Sequence, residues 1–293
     1  MASAGAVRIG ISGWNYAPWR GIFYPPKLAH HRELAYAASI FPSIEINGTF
    51  YSLQRPESFA KWFAATPEDF VFAVKGPRFI THIRRLVNAR APLANFFASG
   101  ILRLGPKLGP ILWQLPPNFK FDTKRLRAFF KLLPRDTESA AALARKHDKR
   151  VSGRSWMKVD APRPLRHCIE IRNKTFVVPE FIELLRANDV ALVCADTVEW
   201  PRLMDLTSDF VYCRLHGLEV LYASGYDDTA LDAWAVRVAA WARGAEPNDA
   251  ERVVQKPAAK KRRDVFVYFD NDAKVRAPFD AQSLTKRVEN LLK

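Results

Sequence analysis

Cysteine is scarce in this sequence, with Cys168, Cys194 and Cys213 the whole set, each inside an apolar run. Three scattered thiols without a C-x-x-C pair make neither a disulfide framework nor a zinc-finger spacing. They read as buried, reduced residues, and the expected compartment is the cytoplasm. No apolar run approaches the roughly 20 residues of a membrane helix, so no membrane partner is expected. The opening MASAGAVRIG lacks a basic stretch followed by an apolar one, and no secretory signal is expected. No G-x-G-x-x-G follows the first strand-like run, which argues against an open dinucleotide-binding sheet. Histidine is also rare, six in 293 residues.

Apolar residues make up 48% of the chain and charged ones 26%, with a mean hydropathy of -0.17. That composition can bury a sizeable core in a water-exposed globule. The length fits one domain over 1–293. The net charge of +15 is concentrated. Residues 145–166 carry +6 and residues 251–264 carry +4, so two segments hold +10 of it. Such segments fit a polyanionic partner or a solvated face.

Eight strand-like runs occur in order: Val7–Ser12, Ser43–Asn47, Phe70–Lys75, Pro110–Leu115, His167–Arg172, Val190–Asp196, Phe210–His216 and Val265–Asp270. Most are dense in Val, Ile, Leu and Phe without strict alternation, as parallel strands covered on both faces are. Helical segments fall between them. They include Leu28–Ile40, Pro56–Ala65, a helix capped by Asp122, Pro179–Ala187, a helix carrying Leu231, Trp234, Val238 and Trp241 before Gly244, and a last one capped by Asp280. The sixth connection, around Trp200–Ser208, has room for a turn of helix at most. The pattern predicts an α/β fold, a single (β/α)8 TIM barrel. Two basic insertions, 140–166 and 246–263, follow helices. They are therefore expected at the end away from the strand C-termini or at its rim, the second as a flexible loop.

Barrel chemistry sits at the C-terminal strand ends, and these ends are polar. Glu45 with Asn47, Glu170 with Arg172, and Arg214 with His216 are each two residues apart. Side chains alternate along a strand, so each pair can face inward. Lys75, Gln114, Asp196, Asp270 and Asn271 end other strands, and His82 lies in the loop after Lys75. Trp14, Tyr16, Trp19, Phe50, Tyr51 and Tyr222 supply an aromatic rim. Converging charges must pair with one another or meet a ligand. The first reading is a pocket for an anionic, phosphate-bearing ligand held by Lys75, Arg172 and Arg214. Glu45, Glu170, Asp196 and His216 are its acid–base candidates. The alternative is nucleic-acid binding, with or without nuclease-type activity, through the basic segments and aromatic rim. Glu45 with Glu170 could also serve a glycosidase. His30, His31, His147 and His167 read as lying off the mouth, which leaves too few imidazoles for a multi-zinc site. No cofactor is expected, with oxygen-ligated Mg or Mn the open exception. No reaction type is readable, and protein partners are left open.

The segments IGISGWNYAPWRGIFYPP, SIEINGTFY, FVFAVKGPRFITHIRRL, ILWQLPPNF, VCADT, FVYCRLHG, LYASGY and VYFDNDA stand in this order. Together they resemble the YecE-like family, a domain of unknown function, from Val7 to Leu292. The resemblance implies a TIM barrel and supplies no established reaction. Gly48, Asn173 and Phe176 depart from it, where the family often has Ser, His and Trp.

Overall fold

The structure, a computed structural model, describes residues 4–255, 258–259 and 261–293. Eight parallel strands close into a barrel in sequence order. They are β1 (Val7–Ser12), β2 (Ser43–Ile46), β3 (Val71–Lys75), β4 (Leu108–Gln114), β5 (His167–Glu170), β6 (Val190–Asp196), β7 (Phe210–Leu215) and β8 (Asp264–Phe269). The closing register pairs Val7 with Val265 through to Ile11 with Phe269. Several strands stop a residue or two before the polar runs end, so Asn47, Arg172, His216 and Asp270 stand just above the sheet.

The apolar side chains divide into two layers because the strand period is two. Ala73, Leu112, Cys168, Val193, Tyr212, Phe266 and Tyr268 form one cluster in the lumen. The larger cluster, with Ile44, Val74, Trp113, Ile169 and Val267, packs strands against helices. Gly10 is required where β1 and β2 meet: a Cβ there would lie 1.9 Å from the Ser43 carbonyl oxygen.

The helices are α1 (Glu33–Ala38), α2 (Gly48–Tyr51), α3 (Pro56–Ala64), α4 (Arg90–Ala98), α5 (Thr123–Phe130), α6 (Thr137–Ala144), α7 (Pro179–Ala187), α8 (Asp228–Ala242) and α9 (Ala277–Leu292). Asp122 caps α5, accepting from the Arg125 amide at 3.0 Å. Gly244 stops α8 in the left-handed region, with φ of 88°. Leu28–Ile40 contains only a 3-10 turn, His30–Arg32, and the short α1. Asp280 is not a cap. Pro278 starts α9 earlier and Arg276 takes the cap position. The Asp280 carboxylate instead accepts from the Tyr226 amide at 3.2 Å and the Asn271 side chain at 2.8 Å.

The basic segments sit differently from expectation. Residues 140–166 form an outer layer on α4: Ala140, Ala141 and Ala144 are buried, and the Trp156 amide donates to the Ala98 carbonyl at 2.8 Å. The segment climbs to the mouth end, where the Arg150 guanidinium lies 5.7 Å from the Phe79 ring centre, in the loop after β3. The segment at 246–263 is pinned in its described part; Lys256, Pro257 and Lys260 lie outside the described residues. The β6–β7 connection has no helix among the described residues. Its buried Asp205 accepts from the Val253 and Val254 amides at 2.8 and 3.0 Å. Arg263, also buried, donates to the carbonyls of Ser208, Lys261 and Ala259. No helix of the described residues is long and apolar enough to cross a membrane.

Candidate functional site

Arg214 of β7 stands at the centre of the strand C-termini, with no exposed surface. A guanidinium taken fully out of water must be matched by anions in good geometry. Three carboxylates do this: Nη2 donates to Glu45 Oε1 at 3.0 Å and Asp270 Oδ2 at 2.8 Å, and Nη1 to Glu170 Oε2 at 2.7 Å. Tyr212 donates to Glu45 from below, and Gln114 donates to Glu170 at 3.0 Å. Burial opposes ionisation of Glu170, but Arg172 and Arg214 outweigh it and hold its carboxyl well below the usual range. Burial likewise opposes ionisation of Asp270, and Arg214 and His216 outweigh it.

This network is the floor of the site rather than its reactive surface. Glu45, Glu170, Arg214 and His216 are all wholly buried. Glu45 and Glu170 share one guanidinium, which leaves no room for the free carboxylate pair a glycosidase uses. His216 Nδ1 lies 3.1 Å from Asp270 Oδ2, and its ring packs edge-on against Trp200 and Tyr222. Burial first, and then Arg214, lower its pKa.

Above the floor opens a cavity of about 930 Å³. Of the residues singled out in the sequence, Trp14, Tyr16, Asn47, Tyr51, Lys75, His82, Gln114, Arg172, Tyr222 and Asp270 line it. Phe50 of the expected rim lines it too, whereas Trp19 is wholly buried and does not. Two more residues do not face it, and strand alternation is the reason. Asp196 follows Ala195 on the outer side of β6, bonded to Arg202 at 2.8 Å and to the Trp234 indole of α8 at 3.0 Å. Asn271 follows the inward Asp270, and its amide donates to the Ser224 carbonyl and Asp280.

Two cations in the cavity have unused capacity. Lys75 Nζ sits 4.4 Å over the Phe50 ring and makes no ion pair with any described residue; the carboxylates act on it only at a distance. Burial, and next the Arg214 charge, lower its pKa to about 8. Arg172 donates from Nε to Glu170 at 2.6 Å and stacks 4.0 Å over Trp200, while its buried Nη2 has no partner. His82, held by Thr81 at 2.9 Å, is driven down to about 4 by burial and then by Arg78 and Arg172, so it is neutral at pH 7.

Several lining residues were not anticipated as such. Asp272, two residues beyond the inward Asp270, is one. Burial, and then the Asp270 charge, raise its carboxyl to about 6. His30 and His31, read as lying off the mouth, line the cavity because the segment between β1 and α1 folds back over it. Trp62 also lines it, from α3, and meets Trp14 edge-on at 5.5 Å. Among the described residues no group of three or more His, Cys, Asp or Glu side chains converges in a way that could hold a metal ion.

Known proteins resemble this chain along its whole barrel. The model of the family described as protein of unknown function DUF72 matches residues 8–292. The UPF0759 protein YunF of Bacillus subtilis is 32% identical over 118 residues, covering 39% of this chain and 41% of that relative. The UPF0759 protein YecE of Escherichia coli is 30% identical over 115 residues, 39% of each chain. The matched stretch thus spans about two fifths of the length of either relative. A DUF72 family protein from Thermotoga maritima superposes with a TM-score of 0.70 at 23% identity, over 97% of this chain and 99% of that one. Another from Enterococcus faecalis gives 0.68 at 17% identity, over 97% and 95%. These two likenesses concern the fold. With a family model that spans all eight strands, the chain belongs to the DUF72 family, the protein family of unknown function that includes the YecE-like proteins.

Proposed function

We propose that the mouth cavity binds an anionic ligand through a phosphate group, and that Asp272 and Lys75 are its proton-transfer pair. The observation that carries this reading is the unused cationic capacity in one cavity of Lys75 Nζ and of Arg172, whose ion pair to Glu170 uses Nε. A buried charge without a partner is costly, and a fold that keeps it gains when an anion arrives. Phosphate suits a guanidinium edge beside a point-charge ammonium. Gln114 and Asn47 line the same cavity and add neutral donors. With Asp272 near 6 and Lys75 near 8, the carboxyl is mostly ionised and the amine mostly protonated at pH 7. An ionised carboxyl and a protonated amine lining one cavity suit a general base and a general acid.

Thermal unfolding with and without inorganic phosphate or a sugar phosphate tests the binding half. The expected result is a ligand-dependent rise in Tm that disappears in Arg172→Ala and in Lys75→Met. Stabilisation that persists in both folded variants, or its absence in the parent protein, would overturn the reading.

A further inference from the structure

Beside the mouth lies a second concavity of about 160 Å³, lined on its apolar side by Phe50, Tyr51, Pro77, Phe79 and Ile80, with Arg150 at its edge. Phe50 and Tyr51 line both spaces, so a ligand leaving the mouth over Tyr51 enters this groove directly. Tyr51 is 71% exposed and Phe79 40% exposed, unusual for rings of this size. Two guanidiniums lie near the Phe79 ring, Arg84 at 5.8 Å and Arg150 at 5.7 Å from its centre. Arg150 is paired with Asp148 at 2.9 Å, whereas Arg84 has no ion pair with any described residue. Among the described residues no Asp or Glu lines the groove. The loop that carries Phe79 and Arg84 is held in an uncommon shape. Phe79–Ile83 is a π-helical turn, and Arg85, Leu86 and Asn88 follow at φ of 49°, 66° and 51°. Such shapes persist where the surroundings fix them, and they gather at binding sites.

From this continuity and charge complementarity we propose that the groove extends the mouth into a track for single-stranded nucleic acid. One phosphate sits at Lys75 and Arg172, the chain passes over Tyr51, a base stacks on Phe79, and the next phosphates meet Arg84 and Arg150. The proposal rests on the mouth being a phosphate site and names the ligand class. Aromatic faces interleaved with cations match a chain in which bases and phosphates alternate. A phosphopeptide would instead require backbone hydrogen-bond partners along the groove. The neutral polar side chains there already have partners: Asn95 accepts from the Asp148 amide at 2.9 Å and Ser52 from the Gln54 side chain at 3.2 Å. The net charge of +15 acts in the same direction for a ligand with many charges.

The test is fluorescence anisotropy with labelled DNA and RNA single strands of about ten nucleotides, beside a labelled mononucleotide, across a salt series. Inorganic phosphate binding is measured in parallel by calorimetry. Expected is at least a tenfold gain from mononucleotide to the longer strand (order of magnitude for one stacked base). Phe79→Ala should remove most of that gain while leaving inorganic phosphate binding unchanged. Arg84→Ala with Arg150→Ala should lower the slope of log affinity against log salt by about 1.4 for the two lost phosphate contacts. Equal affinity for both lengths, or a length effect untouched by Phe79→Ala, overturns the track while phosphate binding still supports the mouth. Failure of phosphate itself to bind overturns the mouth reading separately. Tighter capture of a phosphopeptide than of the strand at equal charge also overturns the proposal.

Discussion

Arg214 and Lys75 are two buried cations with opposite fates. Arg214 is surrounded by three carboxylates, and its own pKa is raised despite burial because Asp270, Glu45 and Glu170 hold the charge. Replacing it with Met would leave those carboxylates buried around an apolar side chain. The expected cost is about 3–5 kcal/mol in urea unfolding. Adding Glu170→Gln to Arg214→Met should recover part of that loss; a cost below about 1 kcal/mol would mean the carboxylates find other partners. Lys75 has no such partner, and its pKa falls to about 8 from an ordinary 10.5. The sign follows from linkage. Below pH 8 the folded protein carries the full cost of the buried ammonium, and that cost is relieved as pH rises from about 8 towards 10.5. Lys75→Met is therefore expected to stabilise the protein at pH 7, by about 1–3 kcal/mol, while losing phosphate binding. A destabilised variant would show that Lys75 is a structural counter-ion to the floor. The same contrast explains what could be read in advance. The residue types Glu45, Glu170 and Arg214 announced a charged cluster. Only the distances separate those locked together from Lys75, Arg172 and Asp272, which face the cavity.

At the scale of elements, the strands were the most legible part. Buried parallel strands have to be continuous runs of Val, Ile, Leu and Phe, and β6 and α7 coincide with the segments expected from sequence. Strand alternation also placed Glu45 with Asn47 and Arg214 with His216. Applied one step further it separates Asp270, facing in, from Asn271, facing out toward Asp280. Asp196 needed the absolute phase of β6, which its uniformly apolar sequence does not carry. The connections were harder, because their shape depends on distant partners. The β6–β7 link lacks a helix, and the segment after α8 covers it instead, hung on Asp205. A run of Lys, Arg, Pro and Ala reads as a loose loop until the buried acceptor 48 residues away is seen. Asp205→Ala is expected to cost about 1–3 kcal/mol by leaving two amides unpaired. Hydrogen exchange at Val253 and Val254 should speed up without change in β1–β4. Unchanged protection there would mean that packing, not Asp205, holds the segment.

For the whole molecule, the barrel brings every strand's C-terminal end to one face, so residues more than 200 apart in sequence meet around Arg214. Ser12 and Arg214 are in contact at 3.2 Å, 202 residues apart. Some of the basic residues are spent on structure rather than offered to solvent. Arg163 is bonded to Asp160, Arg166 to Asp264, and Arg263 to three carbonyls. The net charge was legible, but which charges remain free was not, because pairing is a property of the folded surface. Among the cations without an ion pair to any described residue, Lys75 lies in the mouth and Arg84 beside it, where the cavity walls concentrate their field.

The most direct test of that arrangement is calorimetric titration of a sugar phosphate, a monoester whose second pKa of about 6 leaves it largely dianionic by about pH 7, upward through the Lys75 transition. Expected is an affinity that falls as pH rises through about 8, as the Lys75 ammonium is lost, and that is weak and flat in pH for Lys75→Met. A pH-independent affinity shared by parent and variant would place phosphate elsewhere and contradict the assignment of the mouth as an anion site.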